Sequence, residues 1–352
     1  MPDAFGKFNE RLMKKTSITI ADVAARARVS IGTASQALNG KAGVSPAAVE
    51  KVKKAAVELE YIPTIAARQL RDGRSSVLSL HVIIPENGEI HPSTWDFYFP
   101  IIQGFASIAG SLGFRSHLEF NNIRELKSPY PLLQYLRGYN VRGAAFIITS
   151  VGNYDGLLGL QENRIPVITI YARPLEQIPS ICVDNFQASY RITRWLREIG
   201  HREICYIGGL ETDFAAQDRL QGYCKGMEGN SFLHISSGTW DWESGSEQMK
   251  KLIADRLIPS AVFCANDHMA MGVLQACRNL CIPIPDRVSL VGFDDTLMAQ
   301  IADPQLTSVR MPLFELGRQA AEQLIDESHE PFHRWLSAEP VIRQSVKVLK
   351  TA

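Results

Sequence analysis

Short apolar runs alternate with amphipathic stretches of helical length along most of the chain. Val77 to Ile84, Ala144 to Ile148, Val167 to Ile170, Ile204 to Ile207, Ala261 to Cys264 and Val288 to Val291 are brief and rich in Val and Ile. Such runs are the signature of strands buried on both faces of a parallel sheet. Between them, Ile101 to Leu112, Phe186 to Ile199, Ala215 to Met227, Glu247 to Leu257 and Met269 to Leu280 read as helices. Repeated βα units imply right-handed crossovers with helices on both faces of the sheet, and about a dozen strands is too many for one small sheet. The expected class is therefore α/β, with two doubly wound parallel lobes.

The N-terminal region is patterned differently. Met1 to Thr16 carry no apolar period and read as a flexible extension. Asp22, Val23, Ala24, Ala25 and Ala27 predict a first short helix, and Ser30 caps a second through Thr33, Ala34, Ser35 and Leu38. Ser45 caps a third, with Pro46 at its first position and Val49, Val52, Ala56, Val57 and Leu59 as its apolar stripe. The small residues and short turn between the first two helices let them cross closely, as in a helix-turn-helix. The second helix turns Ile31, Gly32, Thr33, Ser35 and Gln36 outward, a short polar set suited to base edges and phosphates in a major groove. Thr19, Ser30 and Asn39 flank that set and join it as candidate DNA contacts.

Charge strengthens this division. The 352 residues carry 37 Lys+Arg and 37 Asp+Glu, yet residues 1 to 75 hold 13 basic against 7 acidic side chains, leaving 24 against 30 in the rest. A basic N-terminal module that meets a polyanion, joined to a mildly acidic body, fits that asymmetry. With 45% hydrophobic residues the chain is an ordinary globular one, and no run of about twenty apolar residues or leader-like segment is present, so a cytoplasmic protein with no membrane partner is expected. The six cysteines form no CxxC pair and no HExxH occurs, so neither a metal nor another cofactor is expected.

The helix-turn-helix is followed at once by its third helix and then by Tyr61-Ile-Pro-Thr-Ile-Ala-Ala-Arg-Gln-Leu-Arg71. This whole run resembles the lac/gal repressor (LacI/GalR) family, and the resemblance continues from residue 17 to about residue 348. It implies a DNA-binding domain at 17–62, a hinge helix at 63–75 and an effector-binding and dimerisation body at 76–352. That body would resemble a periplasmic sugar-binding protein, with a first lobe at about 76–183 and 312–338 and a second at about 184–311 and 339–352. So short a hinge cannot stay helical alone, because helix nucleation is costly, and it should order when two chains pair over DNA. By the resemblance Leu70 wedges into the minor groove, with Ala67, Arg68, Arg71 and Arg74 beside it. Two positions depart from the family. Arg28 stands where a turn glycine is common, and Gln36 replaces the arginine usual in the recognition helix, which shifts the preferred base from guanine to adenine.

Ligands of open α/β sheets bind beyond the carboxyl ends of strands, which draws attention to Asn266 and Asp267, Asp294 and Asp295, Arg219 within Gln217 to Gly222, and Trp242 within Trp240 to Glu243. Arginine, asparagine and aspartate can clamp hydroxyls while an aromatic face covers a sugar ring. The resemblance places Arg219, Trp242, Asn266 and Asp294 at effector-contacting positions, along with Phe97, Tyr98 and Tyr171. Trp95, Phe99, His81 and His91 add aromatic density near the first lobe's entry. Taken singly, Asn266 and Asp294 could be helix caps, Arg219 a surface ion pair, and Trp242, Phe97 and Tyr98 core residues. The expected protein is a homodimeric, non-enzymatic DNA-binding regulator, a repressor of a carbohydrate operon released from its operator by a sugar. The alternatives are a sugar-binding protein or carbohydrate-acting enzyme on the same α/β body, and a corepressor-dependent regulator of the purine type. No G-x-S-x-G elbow or P-loop favours the enzyme.

Overall fold

The computed structural model describes residues 18–38, 43–59, 61, 75–86, 94–230, 232–326 and 332–349. The chain divides into two compact units, Met1–Arg74 and Ser75–Ala352.

In the first unit, α1 (Ile20–Ala27), α2 (Ile31–Leu38) and α3 (Pro46–Glu58) enclose a small core. Val23, Ala24, Ala34, Ala37, Val52 and Ala55 are buried there, and the alanines allow close helix approach. Each helix starts on a polar cap. The Thr19 amide donates to Asp22 Oδ2 at 2.7 Å, the Ser30 hydroxyl accepts from the Thr33 amide at 3.0 Å, and Ser45 accepts from the Ala48 amide at 3.3 Å. α1 ends on Arg28, whose φ of 54° and ψ of 49° are left-handed and whose amide caps the Ala24 and Ala25 carbonyls. A side chain in that conformation costs on the order of 1 kcal/mol relative to glycine.

The second unit contains two parallel sheets. The first sheet, in order β11-β5-β4-β3-β1-β2, is built from β1 (Val77–Ile84), β2 (Arg115–Asn122), β3 (Gly143–Ile147), β4 (Val167–Ile170), β5 (Ser180–Val183) and β11 (His333–Leu336). α4 (Trp95–Ser111), α5 (Pro129–Gly138), α6 (Asp155–Glu162) and α12 (Leu313–Ile325) cover it. The second sheet, in order β7-β6-β8-β9, comprises β6 (Ile204–Gly208), β7 (His234–Ser237), β8 (Ala261–Cys264) and β9 (Ser289–Val291). Its helices are α7 (Asn185–Glu198), α8 (Phe214–Gly226), α9 (Trp242–Ala254), α10 (Asp267–Asn279) and the short α11 (Leu297–Ile301). β10 (Ser308–Arg310) pairs antiparallel with β12 (Glu339–Val341) where the chain passes between lobes.

The central strands β1, β3, β4, β6 and β8 coincide with the apolar runs because both their faces are covered. β2 escapes that pattern, since it is an edge strand with alternating half-exposed positions. α4 begins at Trp95, ahead of the expected Ile101, and contains Pro100. Pro100, the sixth residue of α4, has no amide to give the Asp96 carbonyl one turn earlier, and Asp96 lies where solvent reaches it. α4 and α12 approach so closely that a Cβ at Gly104 would run into the Phe314 carbonyl, and one at Gly317 into the Ile101 carbonyl. Among the described residues no helix is long and apolar enough to cross a membrane.

Candidate effector cavity and nucleic-acid interface

Loops leaving the carboxyl ends of strands in both lobes converge on one cavity of about 90 Å³. Thr149 follows β3 and Tyr171 follows β4; on the facing lobe, Asp213 leads into α8, which carries Arg219, while Asn266 follows β8 and Asp294 follows β9. The first turn of α4 adds Phe97 and Tyr98. Thus Phe97, Tyr98, Tyr171, Arg219, Asn266 and Asp294, chosen from the sequence, line the same space.

Arg219 is buried at the centre of this site, not a surface ion pair. Its Nε donates to Asn185 Oδ1 at 2.9 Å, and its Nη2 to the Tyr171 hydroxyl at 2.9 Å and to Asp294 Oδ1 at 3.4 Å. Nη1 donates to the Ala265 carbonyl, and the guanidinium lies 3.6 Å from the Phe293 ring centroid. Burial raises the pKa of Asp294, and Arg219 works against that rise. Asp267, one residue past Asn266, is wholly buried and accepts from the Ser308 hydroxyl at 2.6 Å and the Thr296 amide at 2.7 Å. Its pKa is raised by burial first and by the charge of Asp294 second. Asp267 therefore ties the loop bearing Asp294 to β10. Asp295 continues that tie through Arg310 at 2.7 Å and Arg343 at 2.5 Å.

Trp242 does not belong to the cavity. It is the first residue of α9, with 42% of its surface exposed, and the indole that lines the cavity is Trp240. Asp241 decides this: its carboxylate accepts from the Ser244 amide at 2.7 Å as the N-cap of α9, so Trp242 is already in the helix while Trp240 stays in the preceding loop. Trp240 Nε1 donates to Asp213 Oδ2 at 2.7 Å, and the Asn266 amide group donates to the Trp240 carbonyl at 2.8 Å. An Asp one residue before a helix is a readable cap signal, and it would have put Trp240 in the loop.

The remaining single-residue readings also separate. Asn266 does cap a helix, accepting from the Met269 amide at 2.9 Å, and lines the cavity as well. Asp294 caps nothing and faces Arg219. Phe97 is half-buried, its ring edge-on to Tyr171 with centroids 4.8 Å apart. Burial pushes the Tyr98 hydroxyl up to about 12, although Thr149 gives it a hydrogen bond. His81 is a satisfied core residue between Ser79 and Asn121, at 2.9 and 2.7 Å. Trp95 and Phe99 are exposed and border a neighbouring hollow with Leu297 and Phe314. His91 lies outside the described residues. Among those described, no group of His, Cys, Asp or Glu could hold a metal ion.

Asp96, Thr149, Asp213 and His268 line the cavity without having been singled out from the sequence. Several of them join the lobes. The Ser150 hydroxyl donates to Asp213 Oδ1 at 2.7 Å, the Val151 amide to the Thr212 carbonyl at 2.8 Å, and His268 Nε2 sits 3.5 Å from Asp96 Oδ2. Backbone strain gathers here too. Arg28, Asn140, Arg164, Arg256 and Cys281 have positive φ just after helices, where a left-handed residue is a usual stop, whereas Tyr171 (69°), Trp240 (72°) and Asp294 (107°) border the cavity.

In the first unit, Ile31, Gly32 and Gln36 are exposed on α2, with Thr33 and Ser35 half-exposed on the same helix. Ala34 and Ala37 face the core, so the polar set is presented away from it. Thr19 spends both its amide and its hydroxyl on Asp22, each at 2.7 Å, and Ser30 shares a 2.8 Å contact with the Thr33 hydroxyl. Asn39, Ala67, Arg68, Leu70 and Arg71, together with Arg74, lie outside the described residues.

Residues 19–64 match the family described as bacterial regulatory proteins, lacI family, and residues 193–346 match the periplasmic binding protein-like domain. The chain is 34% identical to the HTH-type transcriptional regulator CelR of Thermobifida fusca over 341 residues, 93% of this chain and 98% of that protein. It is 29% identical to the HTH-type transcriptional repressor CytR of Escherichia coli strain K12 over 346 residues, 96% of this chain and 98% of that one. A solved complex of the transcriptional regulator CelR with cellobiose matches with a TM-score of 0.66 at 30% identity, covering 93% of this chain and 99% of that chain. The lac repressor dimer bound to operator and the anti-inducer ONPF shares the fold with a TM-score of 0.78 at 24% identity, covering 94% and 99%. The chain belongs to the LacI family of bacterial transcriptional regulators. It is a DNA-binding regulator with a periplasmic-binding-protein-like sensor, and its relatives are regulators, not enzymes.

Proposed function

We propose that this regulator is a homodimeric repressor of a carbohydrate-utilisation operon, released from its operator when a sugar enters the cavity between the lobes. The observation that carries the reading is the convergence of Arg219, Asn266, Asp213 and Asp294 with the rings of Trp240, Phe97 and Tyr171 on one small space. Fixed polar groups orient hydroxyls there, and aromatic faces cover the apolar side of a ring. The likeness to a CelR bound to cellobiose supports a sugar effector. Because Arg219, Asp213 and Trp240 belong to one lobe and Phe97 and Tyr171 to the other, a bound sugar draws the lobes together. That movement reaches the hinge, residues 63–75, and weakens the grip of the recognition helix and of Leu70 on DNA.

The DNA face is formed by Ile31, Gly32, Thr33, Ser35 and Gln36 of α2, with Thr19, Ser30 and Asn39 at its margin and Ala67, Arg68, Leu70 and Arg71 in the hinge. A helix-turn-helix reads one half-site, so a pair of chains is needed for an operator. Trp95, Phe99, Leu297 and Phe314, exposed around one hollow of the sensor, supply apolar surface for the second copy. The test combines a thermal-shift screen of sugars with a mobility shift on the chain's own promoter. A sugar at about 100 times its dissociation constant adds roughly 2.7 kcal/mol of stability. The expected result is a stabilising sugar that also releases the DNA, with both responses lost in Arg219→Ala. A sugar that stabilises the protein and tightens its grip on the promoter would reverse the sign of the control.

A further inference from the structure

We infer that the cavity selects its effector by charge, admitting uncharged or cationic ligands and rejecting anionic ones such as uronates, sugar phosphates and nucleotides. The inference rests on this cavity being the effector site and narrows the class of ligand it takes.

An anionic group needs an uncommitted cation, best as a paired N–H fork. Among the described residues lining the cavity, the only arginine or lysine is Arg219. Its donors are already directed to Asn185, Tyr171, Asp294 and the Ala265 carbonyl, and one face of its guanidinium is closed by Phe293. At most a single N–H is left, enough for a hydroxyl and too little for a carboxylate or phosphate. The other lining group that can carry positive charge, His268, stands against Asp96.

Negative charge is better represented. Asp96, Asp213 and Asp294 all line the cavity, against one permanent cation. Asp213 is the decisive member. It is buried, and its two oxygens are held by the Ser150 hydroxyl and the Trp240 indole, both at 2.7 Å. Burial raises its pKa and these two donors hold that rise back; in the carboxylate form its remaining lone pairs can only accept. A ligand here must supply O–H or N–H donors, and a second anion would meet Asp213 where water cannot screen it.

The experiment measures binding to the full-length protein by calorimetry at about pH 8, using matched compounds that differ in charge. The set is glucose, glucuronate and glucose 6-phosphate, cellobiose and cellobiose 6-phosphate, and inosine with its monophosphate. The expected result is that within each set whose neutral member binds, the anion binds at least about 100-fold more weakly, a gap of about 2.8 kcal/mol at 1.4 kcal/mol per tenfold. Asp213→Asn should narrow that gap by about tenfold; if that variant folds poorly, Asp294→Asn, at the other buried carboxylate of the lining, is read in its place. An anion that binds as well as its neutral counterpart overturns the inference, whatever its ring. Binding of inosine without any sugar would refute the sugar reading and leave the charge rule to be judged on inosine and its monophosphate.

Discussion

Replacing Trp240 by alanine separates the cavity described above from the one expected at Trp242. The indole lines the cavity and donates to Asp213, while Trp242 projects from the start of α9. Losing a ring that covers one sugar face removes burial and stacking worth about 1.5–3 kcal/mol together, or roughly 10- to 150-fold in Kd. Losing the indole N–H also leaves the buried Asp213 short of a donor, which costs about 1–3 kcal/mol of stability. The left-handed backbone at position 240 adds nothing to the difference, because alanine bears the same φ penalty as tryptophan. Calorimetry with the sugar found by screening should therefore give weakening in that range for Trp240→Ala. Trp240→Phe should retain most affinity and lose mainly stability, and Trp242→Ala should stay within about twofold of the parent. If Trp242→Ala weakens the sugar as much as Trp240→Ala does, the assignment of the ring is wrong.

Other outcomes follow from particular residues. Arg28→Gly relieves the left-handed conformation and should stabilise the first unit by about 1 kcal/mol, seen as roughly fivefold slower amide exchange at Val23 and Val52, with Arg28→Ala gaining little. Gln36→Arg should move the preferred operator base from adenine to guanine, by about 1–3 kcal/mol in a selection of bound sequences; an unchanged preference would remove Gln36 from the reading set. Gly317→Ala forces apart α4 and α12 at the Ile101 carbonyl and should cost about 1–3 kcal/mol in urea unfolding. The Asp267 carboxyl, pushed by burial and by Asp294 from 3.8 to about 8, keeps its proton in the folded state after the unfolded chain has released it. Its contribution to stability therefore falls as pH rises from about 4 to 8, and Asp267→Asn should flatten that slope in urea titrations at fixed pH.

The DNA-binding unit was legible from sequence because its signals are local. Thr19 with Asp22, Ser30, and Ser45 with Pro46 announce helix starts, and the small residues Ala24, Ala34 and Ala37 announce close packing. Buried strands were equally plain, since β1, β3, β4, β6 and β8 must be apolar on both faces, and ligand-facing loops follow from where those strands end. Asn266, Asp294 and Tyr171 could be picked out on that ground, whereas Arg219, inside α8, was marked by the family resemblance. The edge strand β2 could not, because its exposed face breaks the apolar run. Asp241 as a cap sets Trp240 in the loop, but that its indole turns into the cavity could not be read, nor could the parts of Asp213, Asp96 and His268 in one cavity. Those depend on a left-handed φ at a loop residue and on the meeting of segments from separate lobes. Local pattern records which residues are buried and where helices begin; which distant side chains share a space is set by the packing of the lobes, and no local pattern encodes it.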